Sequence, residues 1–328
     1  MRLLLLGGTG FVGRVVAEEA LARGWEVTAL NRGTRPGPPG VRVLRGDRTA
    51  GGGLAALATG EWDSVVDTWS WAPAAVRDSA RLLDGRVGHY AYVSSASVYA
   101  WPKAPGADES AEVVDGDPDE AGEVGYAETK RGAELALEAV FGGSALLARA
   151  GLVLGPHENI GRLPWWLNRI ARGGPVLAPG PEGTPLQYID ARDLASWMLD
   201  ATAARLSGAY NVVSPVGHAT TGSLLRACVR ATGSDAELRW TDPERIAAAG
   251  IASWTELPVW AAPGELYDYL HTASVARAVA DGLRCRPVEE TVADTWAWLR
   301  GIGGRAPRRE DRPAPGLDPE REAEVLRG

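Results

Sequence analysis

A short glycine-rich turn constrains this chain more than any other feature. Gly7-Gly8-Thr9-Gly10-Phe11-Val12-Gly13 lies between a Leu-rich run, Leu3 to Leu6, and a segment from Phe11 to Arg23 whose apolar residues recur at helical spacing. A strand, a tight turn and a helix in that order bring a helix N-terminus, with its unpaired backbone N–H groups, to the end of a strand. Gly7 permits the turn, Gly10 lets the backbone approach phosphates, and Gly13 lets the helix pack closely. The whole stretch, Thr9, Phe11 and Val12 included, is the expected seat of a dinucleotide pyrophosphate.

The pattern repeats downstream. Strands are expected over Arg2 to Leu6, Glu26 to Leu30, Val41 to Arg45, Ser64 to Thr68, His89 to Ser94 and Ala145 to Ala150, with helices at Phe11 to Arg23, Leu54 to Thr59, Pro73 to Leu83 and Tyr126 to Phe141. Strands alternating with helices build a parallel sheet covered on both faces, so the fold class is α/β, a Rossmann-type doubly wound sheet over residues 1–155. From 156 to 304 the pattern loosens around Gly173-Gly174-Pro175 and Pro179-Gly180-Pro181, which predicts a smaller substrate-binding lobe with segments returning to the sheet. Tyr210 to Val213 is the returning strand, and Ala191 to Ala204, Ser223 to Ala231 and Val288 to Arg300 read as helices. Residues 305–328, rich in Arg, Pro and Glu, carry few apolar side chains and read as a loose tail.

Charge and cysteine content remove several function classes. A formal net charge of −8 disfavours a general nucleic-acid binder, so no nucleic-acid partner is expected. Two cysteines, Cys228 and Cys285, form neither a disulfide framework nor a zinc site, and no metal is expected. The Leu3 to Leu6 run is too short for a signal peptide or a membrane span, so the expectation is a cytoplasmic protein with no membrane partner.

The end of the second strand bears on cofactor choice. An NAD-preferring site places a carboxylate there against the ribose 2′-hydroxyl. This chain has Leu30-Asn31-Arg32-Gly33 instead, with Arg35 and Arg14 close in sequence. Asn31, Arg32 and Arg35 leave room and positive charge for a 2′-phosphate, so NADP(H) is favoured over NAD(H). Asp47, just after the third strand, is a candidate acceptor for the adenine amino group.

Tyr126 and Lys130 stand four residues apart at the start of a predicted helix, hence on one face. A tyrosine near pKa 10 is a poor acid or base at neutrality, and a fixed cation beside it stabilises the phenolate. Ser94-Ser95-Ala96-Ser97-Val98-Tyr99 follows the fifth strand, at the sheet edge where ligands bind in such folds, and offers hydroxyls for a substrate oxygen.

The glycine turn, the strand-end serines and the Tyr126/Lys130 pair, in this order, resemble the extended short-chain dehydrogenase/reductase superfamily, which includes NAD-dependent epimerases and dehydratases. The resemblance spans about residues 1 to 300 and is extended by Arg149 to Pro156 and by Gln187 to Ala195. It implies that Tyr126 is the general acid/base, that Lys130 holds the nicotinamide ribose and tunes the tyrosine, and that Ser95, four residues before Tyr99, steadies the reacting oxygen, with Ser97 in reserve. Two departures stand out. Leu186 occupies the place where sugar-nucleotide members carry a diphosphate-gripping arginine, and Asp67-Thr68-Trp69-Ser70-Trp71 replaces a His-Leu-Ala-Ala-like run.

These features predict an NADP(H)-dependent oxidoreductase of ketoreductase or alcohol dehydrogenase type acting on a small-molecule carbonyl. The alternatives are an NAD-dependent sugar-nucleotide epimerase or dehydratase and a non-catalytic dinucleotide-sensing or RNA-associated protein. A dehydratase would want an Asp-Glu pair where Ala96 and Ser97 stand, whereas epimerisation needs only Ser, Tyr and Lys. Trp69, Trp71, Trp101, Trp165 and Trp166 fall in segments expected around the cleft mouth, and aromatic walls suit an aromatic carbonyl substrate. His157 and Glu158 follow Gly155-Pro156 and are further candidates for substrate contact. A homodimer through the helices of the first lobe is an open expectation of the resemblance.

Overall fold

The computed structural model describes residues 1–309 and 311–327. Its centre is a seven-stranded, all-parallel sheet of β1 (Arg2–Leu6), β2 (Glu26–Asn31), β3 (Arg42–Arg45), β4 (Ser64–Asp67), β5 (Tyr90–Ser95), β6 (Leu146–Ala150) and a last strand, Gly208–Val212. The spatial order is Gly208–Val212, β6, β5, β4, β1, β2, β3. The chain winds outward one way from β1 to β3 and the other way from β4 onward, so the strand order reverses between β1 and β4. A crevice opens at such a reversal, outside the carboxyl ends of the strands.

β1 illustrates why these residues make a sheet with two covered faces. Leu3 and Leu5 enter one core and Leu4 and Leu6 the other, the period of two that a strand imposes. All four are essentially inaccessible to water, each burial stabilising by roughly 2 kcal/mol. The first core is closed by helix α1 (Phe11–Ala22) through Val15, Val16, Ala17 and Ala20. The second is closed by α2 (Pro73–Leu83) through Val76, Ala80 and Leu83 and by α3 (Tyr126–Phe141) through Ala133, Ala136 and Leu137. The expected helix over Leu54 to Thr59 is only a single 3-10 turn, Ala55–Leu57, since Gly51-Gly52-Gly53 before it and Gly60 after it deny it length.

The second lobe has its own core. Helix α4 (Arg162–Ala171) contributes Leu163, Trp166, Leu167 and Ile170, and these pack with Val176 to Ala178 and Leu224, Leu225, Val292 and Leu299. A two-stranded parallel ribbon, Pro175–Pro179 with Glu237–Thr241, supports it. Helix α5 (Ala191–Ala203) returns to the sheet beside α1, as its apolar period predicts.

The segment from Arg305 is not a loose tail. It ends in a helix, Pro319–Arg327, whose buried Glu322 accepts from Arg169 Nε at 2.5 Å and from the backbone N–H of Leu177 at 3.1 Å. Leu317 is buried in the second core, and the Gly316 N–H donates to Thr255 O at 2.8 Å. Apolar content misjudges this segment because ion pairs and hydrogen bonds, the desolvated Glu322–Arg169 pair first among them, carry much of its attachment and do not register as hydrophobicity.

Candidate active site

The glycine turn is built for close approach. Gly7 and Gly8 have φ of +127° and +92°, which side chains with a Cβ rarely adopt. A Cβ on Gly13 would lie 2.7 Å from the Gly8 nitrogen, so α1 can begin against the turn only with glycine there. A Cβ on Gly10 would instead meet nothing within 4 Å, so the backbone faces open space. Gly10 is also the N-cap of α1 and supplies no side-chain cap, leaving first-turn N–H groups for an anion. Thr9, Phe11 and Val12 are half-buried around this opening. A cradle of this shape fits a dinucleotide pyrophosphate.

At the end of β2, the Asn31 side-chain oxygen accepts from the Gly33 N–H at 2.9 Å, which leaves its amide nitrogen buried with no partner. Such an orphaned donor needs an acceptor. Arg32 and Arg35 are exposed beside it, and the Arg45 side chain runs along the Gly33 turn, an added guanidinium that motif reading did not single out. Asp47 is engaged in its own turn: its carboxylate accepts from the Thr49 hydroxyl at 2.7 Å and N–H at 3.0 Å, and the hydroxyl bond, with the backbone bond, holds it below the usual carboxylate range. One of its oxygens, Oδ1, takes both bonds.

Lys130 bridges the segment after β4 and strand β5, with Tyr126 on the same helix and Ser95 at the end of β5. Ser95 closes β5, and its hydroxyl accepts from the Ser97 N–H at 3.1 Å and lies 3.2 Å from the Ser97 hydroxyl. Neighbouring Ser94 faces the other way, into a buried network in which it donates to Glu134 at 2.6 Å while Arg149 pairs with the same carboxylate. Ser94 is thereby a structural serine, and Ser95 is not part of that network. Lys130 is 1% exposed, and its ammonium donates to the Trp69 and Val93 carbonyls, both at 2.7 Å, 5.9 Å from the Tyr126 ring centre. Burial pushes its pKa down to about 7 against the partial support of the Asp67 charge. Tyr126, the first residue of α3, stays partly exposed.

The aromatic residues divide. Trp71 is 51% exposed at the mouth and packs edge-on to Trp69, whose ring stacks under Arg48 and whose carbonyl serves Lys130. Arg48 itself is buried in a bidentate pair with Asp67 at the end of β4. Trp165 sits under Gly316 of the C-terminal segment, against Trp166. Trp166, expected near the mouth, is a core residue at 1% exposure with its indole N–H on Pro258 O. His157 has φ of +72° and lies 4.0 Å from Glu18 of α1 and 5.4 Å from the Trp298 ring. Glu158 is fully buried as a cap for α4, accepting from the Arg162 N–H at 2.6 Å and the Leu163 N–H at 3.1 Å, and burial raises its pKa to about 7.

Sequence reading missed two arginines that reach the cleft from the C-terminal segment. Arg309 stacks on Trp71 at 5.4 Å and Arg312 on the Tyr126 ring at 5.1 Å, while the Arg309 N–H is tied to Asn159 O at 2.9 Å. No local motif marks them, because their position depends on how the chain folds back. Among the described residues no cluster of His, Cys, Asp and Glu could hold a metal, and no helix is long and apolar enough to cross a membrane.

The sequence profile of the NAD dependent epimerase/dehydratase family matches residues 3–213. The Bordetella bronchiseptica enzyme WbmH, solved in complex with NAD+, superposes with a TM-score of 0.67 at 19% identity over 92% of this chain and 99% of its own. The Thermus thermophilus UDP-glucose 4-epimerase complex with NAD gives 0.62 at 22% identity over the same shares, 92% and 99%. UDP-glucuronic acid 4-epimerase from Bacillus cereus in complex with NAD gives 0.65 at 14% identity over 93% and 99%. No curated protein matches the chain.

Proposed function

This chain belongs to the NAD-dependent epimerase/dehydratase family, and we infer that it is an NADP(H)-dependent oxidoreductase that interconverts a small-molecule carbonyl and its alcohol. The observation that supports the reading is Lys130 anchored on the Trp69 and Val93 carbonyls, beside the end of β5 where Ser95 stands, with the Tyr126 ring 5.9 Å from its ammonium. A bound nicotinamide would supply or accept the hydride. Gly7 to Gly13 would hold its pyrophosphate, and Lys130 its ribose.

The protein's own groups do the rest. Ser95 donates a hydrogen bond to the substrate oxygen and fixes the carbonyl in the cleft. Tyr126 delivers a proton to that oxygen in reduction and removes it in oxidation. Lys130 stabilises the phenolate left behind, and its two carbonyl anchors keep the ammonium from swinging away. The preference for NADP(H) rests on the unpartnered Asn31 amide, the neighbouring Arg32 and Arg45 beside the Gly33 turn, a set of donors at the end of β2, where no carboxylate stands in sequence.

Against a nucleotide-sugar substrate stands Leu186, 2% exposed in the second core and paired with Ala219, which can grip no diphosphate. A second reading, epimerisation with tightly held NAD, is favoured by the identities of the similar structures, which are NAD-bound epimerases. Oxidation of NADPH and NADH by the purified protein with a panel of ketones tests the choice. We expect NADPH-dependent reduction that falls by roughly 100-fold or more in Tyr126→Phe. Retained NAD after purification, with turnover of UDP-sugars and none of ketones, would overturn it in favour of the epimerase.

A further inference from the structure

We propose that Arg162 and Arg312 form a docking site for an anionic group, a carboxylate or phosphoryl, on the substrate that Tyr126 protonates, with the C-terminal segment serving as one wall of the site. This rests on the redox reading of the same cleft. Arg312 lies over the Tyr126 ring at 5.1 Å. Arg162, at the start of α4, lies over the Trp254 ring at 4.9 Å, and its charge acts on both Arg312 and Tyr126. Arg309 completes the group on Trp71.

The partners of the three differ. Arg309 is neutralised by a bidentate pair with Asp311 at 2.6 and 2.9 Å. Arg312 meets that carboxylate only through Nε, at 3.9 Å, so its two terminal nitrogens are not spent on it. Among the described residues no ion pair within 4.0 Å engages the Arg162 guanidinium, and the oxygens of nearby Glu158 are occupied by backbone N–H groups. Guanidinium groups with open forks beside a reacting hydroxyl are a receptor for an oxyanion, bidentate and oriented. Their concentration at one cleft of a chain with net charge −8 is not a reflection of overall composition.

The segment that carries Arg312 is fixed at both ends. Arg309 is held to Asn159, and beyond Arg312 come the Gly316 bond to Thr255, buried Leu317 and the Glu322–Arg169 pair. Arg312 is thereby presented to the cleft at a set distance from Tyr126, and the substrate's anion is placed relative to its carbonyl. Leu186 removes the family's diphosphate grip from one side of the lobe, and these arginines supply a different grip from another.

The test uses the full chain saturated with NADP+, at constant ionic strength. Binding of sodium benzoate and of inorganic phosphate is followed by calorimetry, and turnover is compared for acetophenone, 4-acetylbenzoate and 4-acetylphenyl phosphate. We expect at least one anion to bind, with affinity falling roughly tenfold or more in Arg312→Gln and in Arg162→Gln while the NADP+ affinity is unchanged. Tighter benzoate identifies a carboxylate, and tighter phosphate a phosphoryl group. Equal anion binding by wild type and both variants, no binding of either anion, or a loss confined to NADP+ would overturn the proposal. Arginine-dependent anion binding without reduction of any ketone would leave the anion site standing and remove the redox reading. Reduction of the three ketones at equal efficiency would do the reverse. Circular dichroism and thermal melts of both variants separate loss of the site from loss of the fold.

Discussion

Lys130→Met tests whether the buried amine has the character that its surroundings impose. In the folded protein burial lowers the Lys130 pKa from 10.5 to about 7, whereas in the unfolded chain it returns to its ordinary value. Between those two values the unfolded state holds a proton that the folded state has released, so stability rises with pH across that window. From pH 7 to 9.5, at 1.36 kcal/mol per unit, Lys130 accounts for roughly 3 kcal/mol of rising stability. Methionine keeps the stem and removes the titration. Urea unfolding of wild type and Lys130→Met, without cofactor, at pH 7 and pH 9.5 gives the difference directly, since titrations elsewhere cancel between the two proteins. The wild type should gain about 3 kcal/mol more than the variant over that interval. Parallel pH dependences would refute the reasoning and mean that the ammonium stays charged between the Trp69 and Val93 carbonyls.

Three more expectations follow from contacts already described. Gly13→Ala puts a methyl 2.7 Å from the Gly8 nitrogen and should cost roughly 1–3 kcal/mol in chemical denaturation, with weaker NADP+ binding by titration. Glu322→Ala strands Arg169, buried at 8% exposure, and should cost roughly 3–5 kcal/mol, with faster proteolysis after Arg305 read by mass spectrometry. Arg32→Glu places a carboxylate at the end of β2 and should lower the ratio of NADPH to NADH efficiency by roughly tenfold or more in steady-state kinetics.

The parts of the fold that can be read from the sequence are those decided locally. β1 is visible because four consecutive leucines end at a glycine turn, and α2 because Pro73 begins it and its apolar residues keep helical period to Leu83. The helix that spaces Tyr126 and Lys130 on one face and the strand that ends at Ser95 are legible for the same reason, being decided by local pattern. Long-range pairings escape such a reading. Nothing near Ser94 announces that Glu134 and Arg149 will claim its hydroxyl, and nothing near Trp166 separates a core indole from a cleft wall. The place of His157 after Gly155-Pro156 points it toward a substrate, yet its left-handed backbone turns the ring toward Glu18 and Trp298. The C-terminal segment defeats a reading by composition because its attachment depends on Glu322 meeting Arg169 across 153 residues.

The two groups at the head of α3 differ in freedom of movement. Tyr126 occupies the opening turn, behind Gly125, which offers no side-chain cap, while Lys130 is one turn deeper and pinned to the sheet. Helix ends fray and interiors do not. On the proposed reading, the phenol at the helix end has some freedom to settle against the oxygen it serves, while the amine one turn deeper is a stationary reference for it.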